Sequence, residues 1–172
     1  MKYDQGLTVM RGQPLHIGHF RLIDKMLEEC ESVTIVLGST QEFNTKKNPF
    51  PFSERKQMLR NCFTIRNLWG RIRVIGLKDI HNEMKWPDYV LENVKEYTKK
   101  EKVDAYYCGT EYDGHWFEGK VPNIIMLDRT QVPFVSGSMV REMLMYRHPD
   151  WKKYIPECNW ELVEKFFYKN GE

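Results

Sequence analysis

Short apolar or β-branched runs alternate with amphipathic stretches along almost the whole chain, and that alternation limits the fold more than any other feature. "LTVM" at 7–10, "SVTIVLGS" at 32–39, "RIRVIGL" at 71–77, "AYYCG" at 105–109 and "NIIML" at 123–127 read as strands. Residues 17–30 read as a helix with Phe20, Ile23, Met26 and Leu27 on one face. "SERKQMLRNCF" reads as a second helix with Ser53 as its candidate cap, and residues 86–101 as a third with Val90, Leu91, Val94 and Tyr97 at helical spacing. Two more helical stretches follow, near 138–147 and 159–169. Strand–helix–strand order predicts a single α/β domain over 1–172, with a mostly parallel five-stranded sheet, helices on both faces and C-terminal helices. In such doubly wound sheets the ligand crevice lies beyond the carboxyl ends of the strands. The segments that leave those ends are 11–19, 38–52, 78–86, 109–115 and 128–138.

The first of them, within "RGQPLHIGHF", holds two of the chain's five histidines. Gly12 frees the backbone and Pro14 fixes it, which predicts a tight turn from strand into helix. His16 and His19 then share one side of the helix start. Gly18 removes a side chain between them and lets a phosphate approach. Free N–H groups at a helix start favour anions, and imidazole N–H groups donate to phosphate oxygens without a permanent charge. The plainer alternative is that one histidine caps the helix and the other packs. Metal ligation is the weaker reading, because an H-x-x-H pair supplies two ligands and no Cys, Asp or Glu stands beside it.

A second cluster, "VSGSMVRE" at 135–142, places Ser136, Gly137 and Ser138 before a helix. Ser136 or Ser138 is a candidate cap. Neither is followed by the Glu or Gln of a capping box, which leaves backbone donors for a ligand. Arg141 falls in the first turn of that helix, a poor place for a cation unless an anion sits opposite.

These two clusters resemble the H-x-G-H and I-S-x-T-x-x-R signatures of the nucleotidyltransferase superfamily, with Ser138 where threonine is usual. The middle of the chain is similar to nicotinamide-mononucleotide adenylyltransferases of the archaeal type. Gly38 and Ser39, then Asn48, Pro49 and Phe50, then Glu54 and Arg55 fall where that family has Gly-Ser, Asn/Asp-Pro-Phe and Glu-Arg. Asp79, Ile80 and Trp86 match its Asp-Ile…Trp segment, and "DWKKYIP" at 150–156 its C-terminal arrangement. Three departures stand. The glycine before the histidines is displaced to Gly12, Lys47 replaces a frequent arginine, and "GTEYDGHWFE" agrees only at Gly109.

The resemblance implies a Rossmann-like fold and an adenylyl transfer from ATP to nicotinamide mononucleotide, releasing pyrophosphate. It assigns His16, His19, Arg141, Lys47 and Arg11 to the reaction. Gln13, Gly18, Ser136, Gly137 and Ser138 fall to ATP, and Asp79, Ile80 and Trp86 to the acceptor nucleotide, with Trp86 stacking on the pyridine ring. Mg²⁺ would travel on the ATP phosphates without a dedicated protein site. Phosphopantetheine adenylyltransferase, a cytidylyltransferase and a non-catalytic nucleotide sensor are the alternatives. A net charge of +2 gives no argument for nucleic acid or a membrane surface as partner. The N-terminal "MKYDQGLTVM" lacks a signal peptide's apolar stretch. Cys30, Cys62, Cys108 and Cys158 form no C-x-x-C pair, so free thiols in the cytoplasm are expected. The family often forms oligomers, and a homo-oligomer is admissible here.

Overall fold

A computed structural model of the chain describes residues 1–100, 102–127 and 134–169. Five strands, β1 (Tyr3–Met10), β2 (Cys30–Leu37), β3 (Ile72–Gly76), β4 (Ala105–Cys108) and β5 (Asn123–Met126), pair in parallel throughout in the order β3-β2-β1-β4-β5. Six α-helices accompany them among the described residues: α1 (Ile17–Glu29), α2 (Phe52–Ile65), α3 (Trp86–Thr98), α4 (Glu111–His115), α5 (Gly137–Met145) and α6 (Trp160–Glu164).

Both faces of the sheet are buried, which is why β2 reads as a nearly continuous apolar run. On one face Val33, Ile35 and Leu37 meet Ile23 and Met26 of α1, Met58 and Phe63 of α2, and Val163 of α6. On the other, Leu7, Val36 and Ile75 pack beneath Val90 and Val94 of α3, while Tyr106 stacks on Phe117 with ring centroids 4.0 Å apart. Each aliphatic side chain buried in this way contributes about 1.5–3 kcal/mol.

The strand order turns back at β1. The chain runs outward through β2 and β3, then returns to the far side of β1 for β4 and β5. The ladder between β1 and β4 stops at Leu7–Tyr106, although β1 continues to Met10. Past that point Thr8 Oγ1 donates to the Tyr107 carbonyl at 2.9 Å. The ends of β1 and β4 thus diverge at the position where doubly wound sheets open a ligand crevice.

Several local expectations are corrected. β1 starts at Tyr3 rather than Leu7, because Tyr3 and Gln5 pair with Cys30 and Ser32 at the start of β2. α2 starts at Phe52. Its cap is Pro51, whose carbonyl accepts from Arg55 N at 3.2 Å, and Ser53 is exposed in the first turn. Tyr97 is 54% exposed, in the turn of α3 beyond its last buried residue, Val94. The last helix begins at Trp160 and widens into a π-helical turn over Lys165–Lys169. The cysteines depart most. Cys62 of α2 and Cys158 form a disulfide with Cα atoms 5.7 Å apart, against the expectation of four free thiols. The C-terminal turn packs on α2 there, with buried Asn159 donating to the Met58 carbonyl at 3.0 Å. Cys30 and Cys108 are buried thiols in β2 and β4.

Candidate active site

A cleft of about 350 Å³ opens beyond the ends of β1 and β4. Its walls come from the end of β1, the start of α1, Gly109 after β4, Leu127 after β5, and the lead into α5. Arg11, His16, Gly18, His19 and Ser136 line it, as the sequence pattern requires if these residues meet one ligand.

The turn after β1 is built as its residues dictate. Gly12 has φ +68°, and a Cβ there would come within 2.8 Å of the Leu15 side chain. The Gln13–Pro14 peptide is cis. His16 then caps α1. Its Nδ1 accepts from Gly18 N at 3.1 Å, and His19 Nδ1 accepts from His16 N at 3.0 Å. The two rings lie 3.8 Å apart, tilted by 30°. A neutral imidazole that accepts at Nδ1 carries its hydrogen on Nε2. Both histidines are therefore held in the tautomer with the hydrogen on Nε2, and the capping reading of His16 is met through Nδ1 alone.

Backbone donors at this helix start do not carry the role expected of them. Ile17 N donates to the Tyr154 carbonyl at 2.9 Å and Gly18 N to His16. The first two backbone N–H groups of α1 are thus already paired within the chain. Gly18 also serves a local purpose, since a Cβ there would lie 2.9 Å from the His16 ring and 3.2 Å from Val135.

Ser136 caps α5, its Oγ accepting from Met139 N at 3.2 Å, and lies 3.3 Å from the Ser138 hydroxyl. Arg141 sits on the second turn rather than the first, and its Nη1 donates to the Gln13 carbonyl at 2.8 Å. A Cβ on Gly137 would lie 2.9 Å from that Nη1, so the glycine makes room for the guanidinium. Burial first, and then the neighbouring Arg11, hold the Arg141 pKa below its usual value. An arginine so shifted is still a cation at neutral pH.

The remaining expected residues stand further out. Gln13 is buried, and both ends of its amide are bound to Phe50: Nε2 donates to the Phe50 carbonyl at 2.7 Å and Oε1 accepts from Phe50 N at 2.8 Å. It joins the Asn-Pro-Phe segment to the turn after β1 and does not line the cleft. Lys47 is exposed on a small loop closed by Thr45 and Asn48. The Asp79 carboxylate accepts from the Ser39 hydroxyl and from Gln41 Nε2, each at 2.8 Å, and ties the loop after β3 to the loop after β2. Ile80 is half-buried beside it. Trp86 opens α3, half-buried against the second core, 5.6 Å from the Tyr89 ring.

Three cleft residues carry no sequence signature. Arg21 lies one turn after Gly18, Asp113 lies in α4, and Phe134 is 75% exposed before α5. The spacing of Arg21 from Gly18 was the available sign for the first, and Asp113 and Phe134 fall in strand-end segments already singled out. Residues 128–133 of the last such segment lie outside the described residues.

The protein named nicotinamide-nucleotide adenylyltransferase in Thermococcus onnurineus is 27% identical over 161 residues, which is 94% of this chain and 82% of that relative. The protein of the same name in Pyrobaculum arsenaticum is 29% identical, over 94% of this chain and 88% of that one. Among solved structures, a bifunctional NMN adenylyltransferase/ADP ribose pyrophosphatase from Francisella tularensis, complexed with AMP and a manganese ion, superposes with a TM-score of 0.81 at 25% identity over 95% of this chain. This chain spans 49% of that bifunctional protein. The cytidylyltransferase-like family matches residues 13–143, a span that holds both the histidine pair and Arg141. With that span folded as a parallel doubly wound sheet around one cleft, the chain belongs to the cytidylyltransferase-like family.

Proposed function

We propose that the protein transfers the adenylyl group of ATP to nicotinamide mononucleotide, giving NAD and pyrophosphate. The observation that carries this reading is the cleft's donor set. His16 and His19 are held as Nε2–H tautomers, beside Arg11, Arg21 and the Ser136 hydroxyl, while Asp113 is the one carboxylate among the described lining residues. Arg141 adjoins this set through the Gln13 carbonyl. Such a set suits a polyanion. The names of the relatives supply the acceptor.

A phosphate oxygen of the mononucleotide attacks the α-phosphorus of ATP in line. The bond to the bridging oxygen breaks, and its electron pair leaves with pyrophosphate. The nucleophile is already ionised at neutral pH, so no general base is required. Catalysis is positioning and stabilisation of charge on the phosphoryl oxygens. His16 and His19 donate to the oxygens where charge grows. Arg141, Ser136 and Ser138 hold the leaving pyrophosphate, with Gly18 and Gly137 giving them room. Arg11 and Lys47 draw the acceptor phosphate toward ATP. Gln13 acts through what it holds, the Phe50 backbone on one side and Arg141 on the other. Asp79 and Ile80 shape the acceptor side, where the Trp86 indole is the stacking surface for the pyridine ring. Mg²⁺ bound to the triphosphate would neutralise part of its charge, and a single lining carboxylate fits a metal carried by substrate oxygens rather than by a protein cage.

The test is purified protein with ATP, Mg²⁺ and a panel of acceptors: nicotinamide mononucleotide, nicotinic acid mononucleotide and phosphopantetheine, with CTP replacing ATP in a parallel set. Pyrophosphate and dinucleotide in equal amounts from ATP and a pyridine mononucleotide are expected. Turnover with phosphopantetheine or CTP alone, or ATP binding without any product, would overturn the reading.

A further inference from the structure

Arg55 is completely buried and is the largest side chain to be so among the described residues. Nη1 donates to two carbonyls, Arg11 at 2.6 Å and Gly38 at 2.9 Å. Nε and Nη2 have no partner, and no carboxylate pairs with Arg55 among the described residues. Burial, then the charge of Arg11, lower its pKa to about 10, which leaves it protonated at neutral pH. An unpaired buried cation is costly to the fold, and an apolar side chain of similar volume is often the more stable choice. Packing alone therefore gives no account of this residue.

Its two acceptors show what it does. The Arg11 carbonyl begins the turn that carries His16 and His19. The Gly38 carbonyl begins the loop that passes through Ser39 to Lys47. Gly38 N still donates to Met10 O at 3.1 Å, so Arg55 grips β1 and β2 just past their last shared rung. The charge of Arg11 bears on both Arg55 and Arg141. Arg55 is bonded to the backbone of Arg11, which lines the cleft, and a buried charge is little screened by salt.

We propose that Arg55 is a positioning residue for phosphate transfer, holding the two chain segments that leave β1 and β2 in their productive geometry and lending the cleft a buried positive charge that favours the bound triphosphate. This rests on the function proposed above and assigns a role to a residue that touches no substrate. Lysine keeps the charge but loses the planar guanidinium that fills this site and aims Nη1 at both carbonyls. Methionine keeps the volume and loses both.

The experiment compares wild type, Arg55→Lys and Arg55→Met by thermal melting, ATP affinity from calorimetry at low and high salt, and steady-state kinetics. Arg55→Lys is expected to bind ATP within about threefold of wild type and to lose about tenfold to a hundredfold in kcat, the scale of a small misplacement. Arg55→Met is expected to bind ATP about tenfold more weakly, by a factor that persists at high salt. Folded Arg55→Lys with wild-type kcat would overturn the positioning role, and folded Arg55→Met with wild-type ATP affinity would overturn the electrostatic one. Failure of both variants to fold would assign Arg55 to the fold alone and also overturn the proposal. If wild type makes no NAD, the reaction falls, while the ATP affinities still decide the role of Arg55.

Discussion

His16 holds a helix cap and, in the proposed reaction, a phosphate donor in one imidazole, and the two duties use different nitrogens. Nδ1 accepts from Gly18 N at 3.1 Å, which puts the ring hydrogen on Nε2, the nitrogen the proposed reaction uses. Alanine would remove both, and loss of the cap alone costs about 1 kcal/mol. Asparagine separates them, because its side-chain oxygen can take the Gly18 N–H while no donor reaches the Nε2 position. His16→Asn is therefore expected to melt close to wild type and to lose turnover by about a hundredfold, as for loss of one donor to a growing oxyanion. Melting curves and steady-state rates on the same preparation check it, and a rate within a few-fold of wild type would sink the phosphate role. That His16 caps α1 beside His19 was legible in the sequence, because residue type and spacing set it. Which nitrogen does which was not, since that depends on a backbone turn around Gly12 and the cis peptide at Pro14.

At the scale of elements, the pattern of runs identified every strand and every long helix among the described residues, and misplaced several ends. Ends depend on partners the local pattern does not contain. β1 gains Tyr3 and Gln5 from pairing with β2, and the first N–H of α1 is taken by Tyr154 near the other end of the chain. Trp86 is ambiguous for the same reason, as one indole can cover a core and border a site. The junction of α1 and β2 shows how such distant contacts titrate. Glu29 there accepts from Lys2 at 2.8 Å and from the Tyr107 hydroxyl at 3.1 Å. The bond from Lys2 leads the causes that hold the Glu29 carboxyl below its ordinary range, with burial opposing it and Tyr107 and Lys25 assisting. A carboxyl with a lowered folded pKa stabilises above its unfolded value, near 4.5, and that contribution is lost as pH falls through the folded pKa. Glu29→Gln should therefore melt below wild type at pH 6, with the gap narrowing as the pH is taken down to 3. A gap constant across that range would show that the pair contributes nothing through ionisation.

For the molecule as a whole, the disulfide was the least legible feature. Cys62 and Cys158 stand 96 residues apart, and no spacing rule links a cysteine in a mid-chain helix to one in a late turn. What brings them together is the tertiary packing of the C-terminal segment on α2, where Asn159 reaches the Met58 carbonyl and Asn61 donates to Asn159 at 3.1 Å. That same segment supplies the Tyr154 carbonyl to the start of α1, so the crosslink anchors the strip of chain that backs the histidine turn. Closing a loop of this length removes chain entropy from the unfolded state, about 4.7 kcal/mol for roughly 100 residues. Alkylation under denaturing conditions should count two thiols without reductant and four with it, because Cys30 and Cys108 remain thiols. Reduction should then lower the melting temperature, as should Cys158→Ser, and reductant should have no further effect on that variant. Turnover at 25 °C should survive reduction, since the contacts of Asn159 and Tyr154 do not depend on the sulfur bond. Four alkylated thiols without reductant would show that packing alone holds the C-terminal segment on α2. In that case the wild-type melt should be indifferent to reductant.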